Sequence, residues 1–331
     1  MRSGGDLMTY PGGKNGAGVF QTIINRMPPH RVYIEPFVGG AAILRLKRPA
    51  ELSIAADLDR DVILGLAWTL SRADNPARPC SLAEICHLAR IRGARVPPDP
   101  ARGAANQTGS TEDQQAVTPI RAHRHNRRAD PLARNGEQVR LLAGDGIELL
   151  ERYPFAGDEL VYCDPPYVHS TRSRRRLYEY EMTDVDHRRL LRVLRKLPCR
   201  VMISGYWSLL YGEALQGWES LTFQTTNRAG QKTREWLWSN FPEPVELHDY
   251  RYLGKNFRER EKLNRRRRRW KGRLERMTIL ERRALLAAID EAWNSPEQKP
   301  VKGDTDQNGQ AGHDAAPRER GEQPEKIGDD Q

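Results

Sequence analysis

A short apolar run, then a turn, then a helical stretch: this unit recurs at Arg31–Ile34, Leu52–Ala56, Val139–Ala143 and Glu159–Cys163. The stretches that follow read as helices: Ala41–Lys47, Arg60–Leu70, a segment ending at Arg152, and Asp184–Leu197. The last places Leu190, Leu191, Leu194 and Leu197 on one stripe. Arg200–Ser204 adds another strand, and Trp218–Thr225 with Glu235–Asn240 alternates like a closing antiparallel pair. Repeated strand–helix units imply a parallel sheet, because each crossover lays a helix on a sheet face and both faces become covered. The fold class expected is therefore α/β with a mostly parallel sheet.

The alternation lapses twice. From residue 71 to 138 the chain is rich in turn formers and breakers, with one short helix expected at Ser81–Ile91. It reads as an inserted, partly flexible region rather than a packed domain. Residues 251–294 read as a basic helical extension, and 295–331, rich in Gly, Asp, Gln and Pro, as a disordered tail. Residues 1–70 and 139–250 remain as the core of the fold.

The formal charge of +10 favours a polyanionic partner. Its distribution says more: Arg251–Trp293 holds 15 Lys/Arg against 6 Asp/Glu, nearly the whole surplus. The four cysteines match no zinc spacing and are too few for a disulfide framework. No apolar run reaches the ~18 residues of a membrane span. The expectation is a cytoplasmic protein with a polyanionic partner, no metal and no membrane partner.

Four segments carry chemistry, each beside a strand or turn. In Tyr10-Pro11-Gly12-Gly13-Lys14 the glycines let backbone approach a ligand, Lys14 is a point charge and Tyr10 offers a ring face. Ile34-Glu35-Pro36-Phe37-Val38-Gly39-Gly40-Ala41 follows a strand and opens a helix, where open α/β sheets bind ligands. Asp57 ends the second strand, about 20 residues after the glycine turn, placed to accept hydrogen bonds from ribose hydroxyls; an isolated acid there would more often cap a helix.

Asp164-Pro165-Pro166-Tyr167 is the most specific of the four. The exocyclic amine of adenine is a poor nucleophile because its lone pair is delocalised into the ring. A carboxylate and a proline carbonyl accepting its N–H bonds draw the nitrogen toward tetrahedral geometry and free the lone pair. The carboxylate can also help remove the departing proton. Two prolines stiffen the loop, and Tyr167 can stack on a base that has left its duplex.

These segments, in this order, resemble the Dam-type (D12 class) DNA adenine methyltransferases, over roughly residues 8–70 and 139–242. The resemblance implies the Rossmann-like fold of S-adenosylmethionine-dependent methyltransferases, with the insertion used for target recognition. It implies S-adenosylmethionine as cofactor, bound through Tyr10, Lys14, Glu35, Pro36, Phe37, Gly39, Gly40, Asp57 and Asp145. It implies Asp164, Pro165, Pro166 and Tyr167 as catalytic residues, with Asp164 also bordering the cofactor. Ala41 and Asp59 depart from the usual pattern, and the insertion matches nothing recognisable.

Two basic runs complete the expectations. Arg172, Arg174, Arg175 and Arg176 abut the catalytic loop and are read as phosphate contacts. Arg265, Arg266, Arg267, Arg268 and Arg269 lie on an expected helix suited to sequence-independent backbone contacts. The function expected is methyl transfer to the N6 amine of an extruded adenine in double-stranded DNA, with a restriction endonuclease as a conceivable partner. The alternatives are cytosine N4 as acceptor, an RNA-directed enzyme, and a relative that binds nucleic acid without catalysis.

Overall fold

The computed structural model describes residues 14–70, 77–93, 138–168, 180–226 and 232–294. Two compact units are present, residues 1–267 and 268–331.

The first unit is built on one eight-stranded sheet. Its strands are β1 (Val32–Glu35), β2 (Leu52–Asp57), β3 (Arg78–Pro79), β4 (Gln138–Ala143), β5 (Glu159–Cys163), β6 (Arg200–Gly205), β7 (Glu219–Thr226) and β8 (Lys232–Ser239). They lie in the order β3-β4-β2-β1-β5-β6-β8-β7. Strands β1 to β6 pair in parallel, whereas β8 runs antiparallel to both β6 and β7. The mostly parallel α/β fold expected from the strand–helix repeat is therefore present, including the closing antiparallel pair.

Alternation along the central strands sorts the core into two layers. Val32, Ile34, Val161, Cys163, Val201 and Ile203 face one side, against α4 (Leu82–Gly93), α5 (Gly146–Arg152), α6 (Asp184–Leu194) and α7 (Leu209–Ala214). Tyr33, Ala55, Leu160, Tyr162 and Met202 face the other, against α1 (Val19–Ile24), α2 (Ala42–Leu46) and α3 (Arg60–Leu70). Burial on both faces is why these strands read as continuous apolar runs.

Local chemistry sets the element ends. The Thr183 hydroxyl accepts from the amide of Asp186, while the Asp186 carboxylate accepts from the Thr183 amide, a reciprocal box that starts α6. That helix ends at Leu194, not Leu197 as the leucine stripe suggested. Leu197 precedes Pro198, which disfavours helical backbone there, yet its side chain still packs on the same apolar layer. Helices α1 and α7 and the two-residue β3 were not expected, being too short to show a period. Within the insertion, α4 is no loose appendage: Ile85 and Ala89 are buried in the core layer beside β2 and α5.

Beyond the sheet come a 3-10 turn (Tyr250–Tyr252) and α8 (Phe257–Arg276), then α9 (Ile279–Asn294). The α8 sequence holds eleven Lys/Arg and three Glu, and Arg265 to Arg269 are all exposed. In the second unit, the Thr278 hydroxyl and Glu281 carboxylate box the start of α9, and Leu280, Leu286, Ile289 and Trp293 are exposed along it. Among the described residues, no helix is long and apolar enough to cross a membrane.

Candidate active site

The parallel strands all point their carboxyl ends at one edge of the sheet, and the sequence motifs collect there. Glu35 ends β1, Asp57 ends β2, Asp145 follows β4 and Asp164 follows β5. Since β2, β1 and β5 are neighbours, Asp57 and Asp164 stand at strand tips about 10 Å apart, two strand spacings.

The glycine loop is held from below. The Asp57 carboxylate accepts from the amide of Gly39 at 2.9 Å and from the amide of Asp59 at 3.0 Å. The amide of Val38 donates to the carbonyl of Ala56 at 2.9 Å. Asp57 is thus not the cap of α3; Asp59 takes that task, accepting from the amide of Asp61 at 2.8 Å. Burial pushes the Asp57 carboxyl above its ordinary range, against the opposing amides. Gly39 (φ 42°) and Ala41 (φ 55°) both occupy the left-handed region, so the loop turns tightly into α2. For Ala41 that conformation costs on the order of 1 kcal/mol.

Gly146, at the start of α5, passes against the same loop. A Cβ there would lie 2.0 Å from the carbonyl oxygen of Pro36, so only glycine fits. Its neighbour Asp145 caps α5 through the amide of Ile147 at 2.7 Å, and its other oxygen takes the Arg189 guanidinium at 3.0 Å. Arg189 is fixed in turn by two bonds to Glu151.

Glu35 is buried beneath the loop. Its carboxylate accepts from the Tyr33 hydroxyl at 2.9 Å and from the amide of Leu44 at 3.1 Å. Burial pushes its carboxyl up to about 8, against the Tyr33 hydrogen bond, and the negative charge of Asp164 adds to the rise. Glu35 and Asp164 therefore share one electrostatic environment.

At Asp164 the structure brings together residues far apart in sequence. Oδ1 accepts from Lys14 Nζ at 2.7 Å and from Ser204 Oγ at 2.9 Å. Ser204 also contacts the Tyr162 hydroxyl at 2.9 Å. Lys14 Nζ lies 2.7 Å from Glu235 Oε1, and the Tyr167 hydroxyl donates to that oxygen at 3.0 Å. Lys14 also donates to the Tyr167 hydroxyl at 3.0 Å. Burial alone would push the Lys14 ammonium down; Asp164 and Glu235 outweigh it and hold it well above its ordinary value. The Tyr167 ring packs on Tyr206 with centroids 4.3 Å apart. Pro165 is buried and Pro166 half-buried, so the loop is seated rather than free.

Residues 104–228 match the family model of the D12 class N6 adenine-specific DNA methyltransferases. The chain is a methyltransferase, with S-adenosylmethionine as its methyl donor. No curated protein matches it significantly. Among solved structures it is similar to a Streptococcus mutans protein described as a methyltransferase, in complex with SAH: 10% identity, TM-score 0.35, covering 66% of this chain and 94% of that one. A Haemophilus influenzae protein described as a methylase matches at 13% identity and TM-score 0.34, covering 68% and 89%. The 23S rRNA methyltransferase ErmE matches at 10% identity and TM-score 0.34, covering 86% and 90%. These likenesses are weak in shape, so the fold reading rests on the sheet itself.

The methyltransferase's own residues fit a nucleoside-bearing cofactor. The tight Gly39–Ala41 turn, whose loop packs against Gly146 at Pro36, and the acids at the tips of β2 and after β4 all lie on one edge. Of the residues expected from sequence, Tyr10, Arg172, Arg174, Arg175 and Arg176 lie outside the described residues. Lys14 is sited against Asp164 rather than beside the glycine turn's Asp57. Ser204, Tyr206 and Glu235 were not anticipated. Glu235 carried a readable signal: a charge in a strand with apolar neighbours on both faces needs a buried partner. Among the described residues, no cluster of His, Cys, Asp or Glu could hold a metal ion.

Proposed function

We propose that this methyltransferase acts on DNA, transferring a methyl group to the N6 amine of an adenine extruded from the duplex. The observation that carries the reading is the placement of Asp164 at the tip of β5, one strand from the Glu35–Gly40 loop and two from Asp57. An acceptor for an amine and a cradle for a nucleoside cofactor share one edge. The D12 class match supports adenine N6 over cytosine N4.

When bound, S-adenosylmethionine supplies a methyl group activated by its positive sulfonium. In the proposed arrangement Asp57, the Gly39–Gly40 backbone, Pro36, Phe37 and Asp145 hold it. Asp164 accepts an N–H bond from the adenine amine and, with the carbonyl of Pro165, aims the nitrogen lone pair at the methyl group. Oδ1 is already engaged by Lys14 and Ser204, so Oδ2 is the oxygen offered to substrate. As the N–C bond forms, the methyl–sulfur bond would break with its electron pair left on the departing thioether, and Asp164 would accept the proton that the cationic amine sheds. Tyr167, backed by Tyr206, presents a fixed ring face for the extruded base. Pre-setting that ring lowers the entropy cost of holding the base.

DNA is held, in this reading, through phosphate contacts of the exposed run Arg265–Arg269 and of Arg172, Arg174, Arg175 and Arg176, with target recognition in residues 71–138. Incubating purified protein with labelled S-adenosylmethionine and unmethylated mixed-sequence duplex DNA, then digesting to nucleosides, tests the proposal. N6-methyladenine is the expected product. N4-methylcytosine or no label at all would each refute it.

A further inference from the structure

We propose that Glu235 is a positioning residue for methyl transfer, acting on Asp164 through Lys14 and on the base-stacking ring through the Tyr167 hydroxyl. The inference rests on the reading of Asp164 and Tyr167 given above and extends it to a residue outside every motif that carried the resemblance.

The argument begins with topology. β8 is antiparallel to β6, and Gly205 pairs with Trp236. The start of β8 therefore arrives at the edge where the parallel strands end, placing Glu235 opposite the exit of β6. On β8 the Trp236 and Trp238 rings stack on one face at 5.7 Å, and Glu235 shares the other with Leu237. Leu237 belongs to the apolar layer of Tyr162 and Met202. Glu235 is 1% exposed, and so is lodged at the inner boundary of the site.

A buried carboxylate in an apolar layer must be paired. Glu235 Oε1 meets Lys14 Nζ at 2.7 Å and the Tyr167 hydroxyl at 3.0 Å. Lys14 Nζ in turn reaches Asp164 Oδ1 at 2.7 Å. One cation is thus divided between two carboxylates. If Lys14 faced Asp164 alone, its charge would fall entirely on that acid, and Oδ2 would accept more weakly from an amine. With Glu235 drawing the ammonium from the other side, Asp164 keeps a net negative charge while its rotamer stays pinned by Lys14 and Ser204. The same glutamate fixes the Tyr167 hydroxyl, so acceptor and ring are set by one anchor. Burial pushes the Glu235 carboxyl above its ordinary range, opposed by Lys14 and reinforced by Asp164, as befits two acids competing for one base.

The experiment compares wild type with Glu235→Gln, which keeps an acceptor oxygen of the same reach and removes the charge. Initial rates are measured on unmethylated duplex DNA, with S-adenosylhomocysteine affinity by calorimetry and a thermal melt alongside. The expected result is a kcat lowered by roughly 10-fold or more, with KM for DNA and S-adenosylhomocysteine affinity within about 3-fold of wild type. Should Glu235→Gln fail to fold, Lys14→Met combined with Glu235→Met replaces the buried pair by apolar groups of similar size. That variant is expected to fold, bind S-adenosylhomocysteine, and show a lowered kcat because Asp164 and the Tyr167 hydroxyl lose their shared anchor. A wild-type kcat in either variant, or a loss confined to KM, overturns the inference while leaving the adenine reading intact. If the wild-type protein itself methylates no adenine, the reading falls and the inference with it.

Discussion

Lys14 and Asp164 are 150 positions apart in the chain and meet at 2.7 Å, Nζ to Oδ1. The ion pair joins the first and the last of the four chemical segments. It also fixes one oxygen of the carboxylate, Oδ1, which accepts from Ser204 as well.

Removal of the acid should therefore act on chemistry more than on binding. Asp164→Ala is expected to lower kcat by about 10²–10⁴-fold, while a gel-shift assay shows DNA retention within about 3-fold of wild type. Lys14 keeps Glu235 as partner, which protects the fold. Equal losses of transfer and retention would contradict the role assigned to Asp164.

Gly146→Ala should damage the cradle from outside the catalytic loop. The added Cβ would fall 2.0 Å from the Pro36 carbonyl oxygen, and both are backbone-anchored. Overpacking of this kind costs about 1–3 kcal/mol. Urea unfolding should show that loss, and calorimetry should show weakened S-adenosylhomocysteine binding. An unchanged midpoint with full cofactor affinity would mean that the loop and α5 move apart freely.

A stacked histidine pair links stability to pH. His30 and His248 lie with ring centroids 3.8 Å apart, both buried. His30 Nδ1 bonds the carbonyl of Pro28 at 2.8 Å, and His248 Nε2 bonds that of Arg48 at 3.1 Å. Burial, with the charge of Lys47 nearby, lowers His30 well below its usual range and His248 to about 4. The folded pKa values are depressed, so the unfolded chain binds protons first as pH falls. Stability from this pair is complete above the ordinary histidine value of about 6.5 and drains away toward pH 4. Glu35, raised to about 8, pulls the opposite way. The difference between wild type and His248→Phe isolates the histidine contribution. Thermal melts should show the wild type losing stability faster than the variant between pH ~7 and ~5; parallel curves would exclude the assignment.

The basic helix predicts a salt signature. Replacing Arg265, Arg266, Arg268 and Arg269 by Ala should weaken binding to duplexes of any sequence and reduce the slope of log affinity against log salt by about one for each phosphate left without its arginine. Arg267 is left in place because it donates to the Tyr250 carbonyl at 3.1 Å and helps seat the helix. An unaltered slope would remove α8 from the DNA-binding surface.

How far the sequence could be read follows from what is local in it. Of the six parallel strands, all but β3 came out within a residue or two, because burial on both faces leaves apolar runs. The turn at Gly39 and the acids at Asp57 and Asp164 were visible because each lies at a strand's end or within a few residues of it. Ser204 and Glu235 were not, since their meaning arises only when β6 and β8 pair and bring them to Asp164. The choice between Asp57 and Asp59 as cap was equally hidden: both are suitable acids, and only the loop amide of Gly39 decides between them. The end of α6 was misjudged because the leucine stripe outlasts the helix, with Pro198 halting the backbone before the apolar pattern stops.

The shared ammonium has a consequence for the integrity of the polypeptide. Lys14 reaches inward ahead of the first helix, so a shortened product missing that stretch would leave the buried Glu235 and the partly exposed Asp164 without the ammonium they share. One of them would have to take up a proton, or the pair would push apart. Loss of the leading residues would thus disarm the enzyme at a distance, even with every group from Asp164 to Tyr167, proposed above as catalytic, still in the chain.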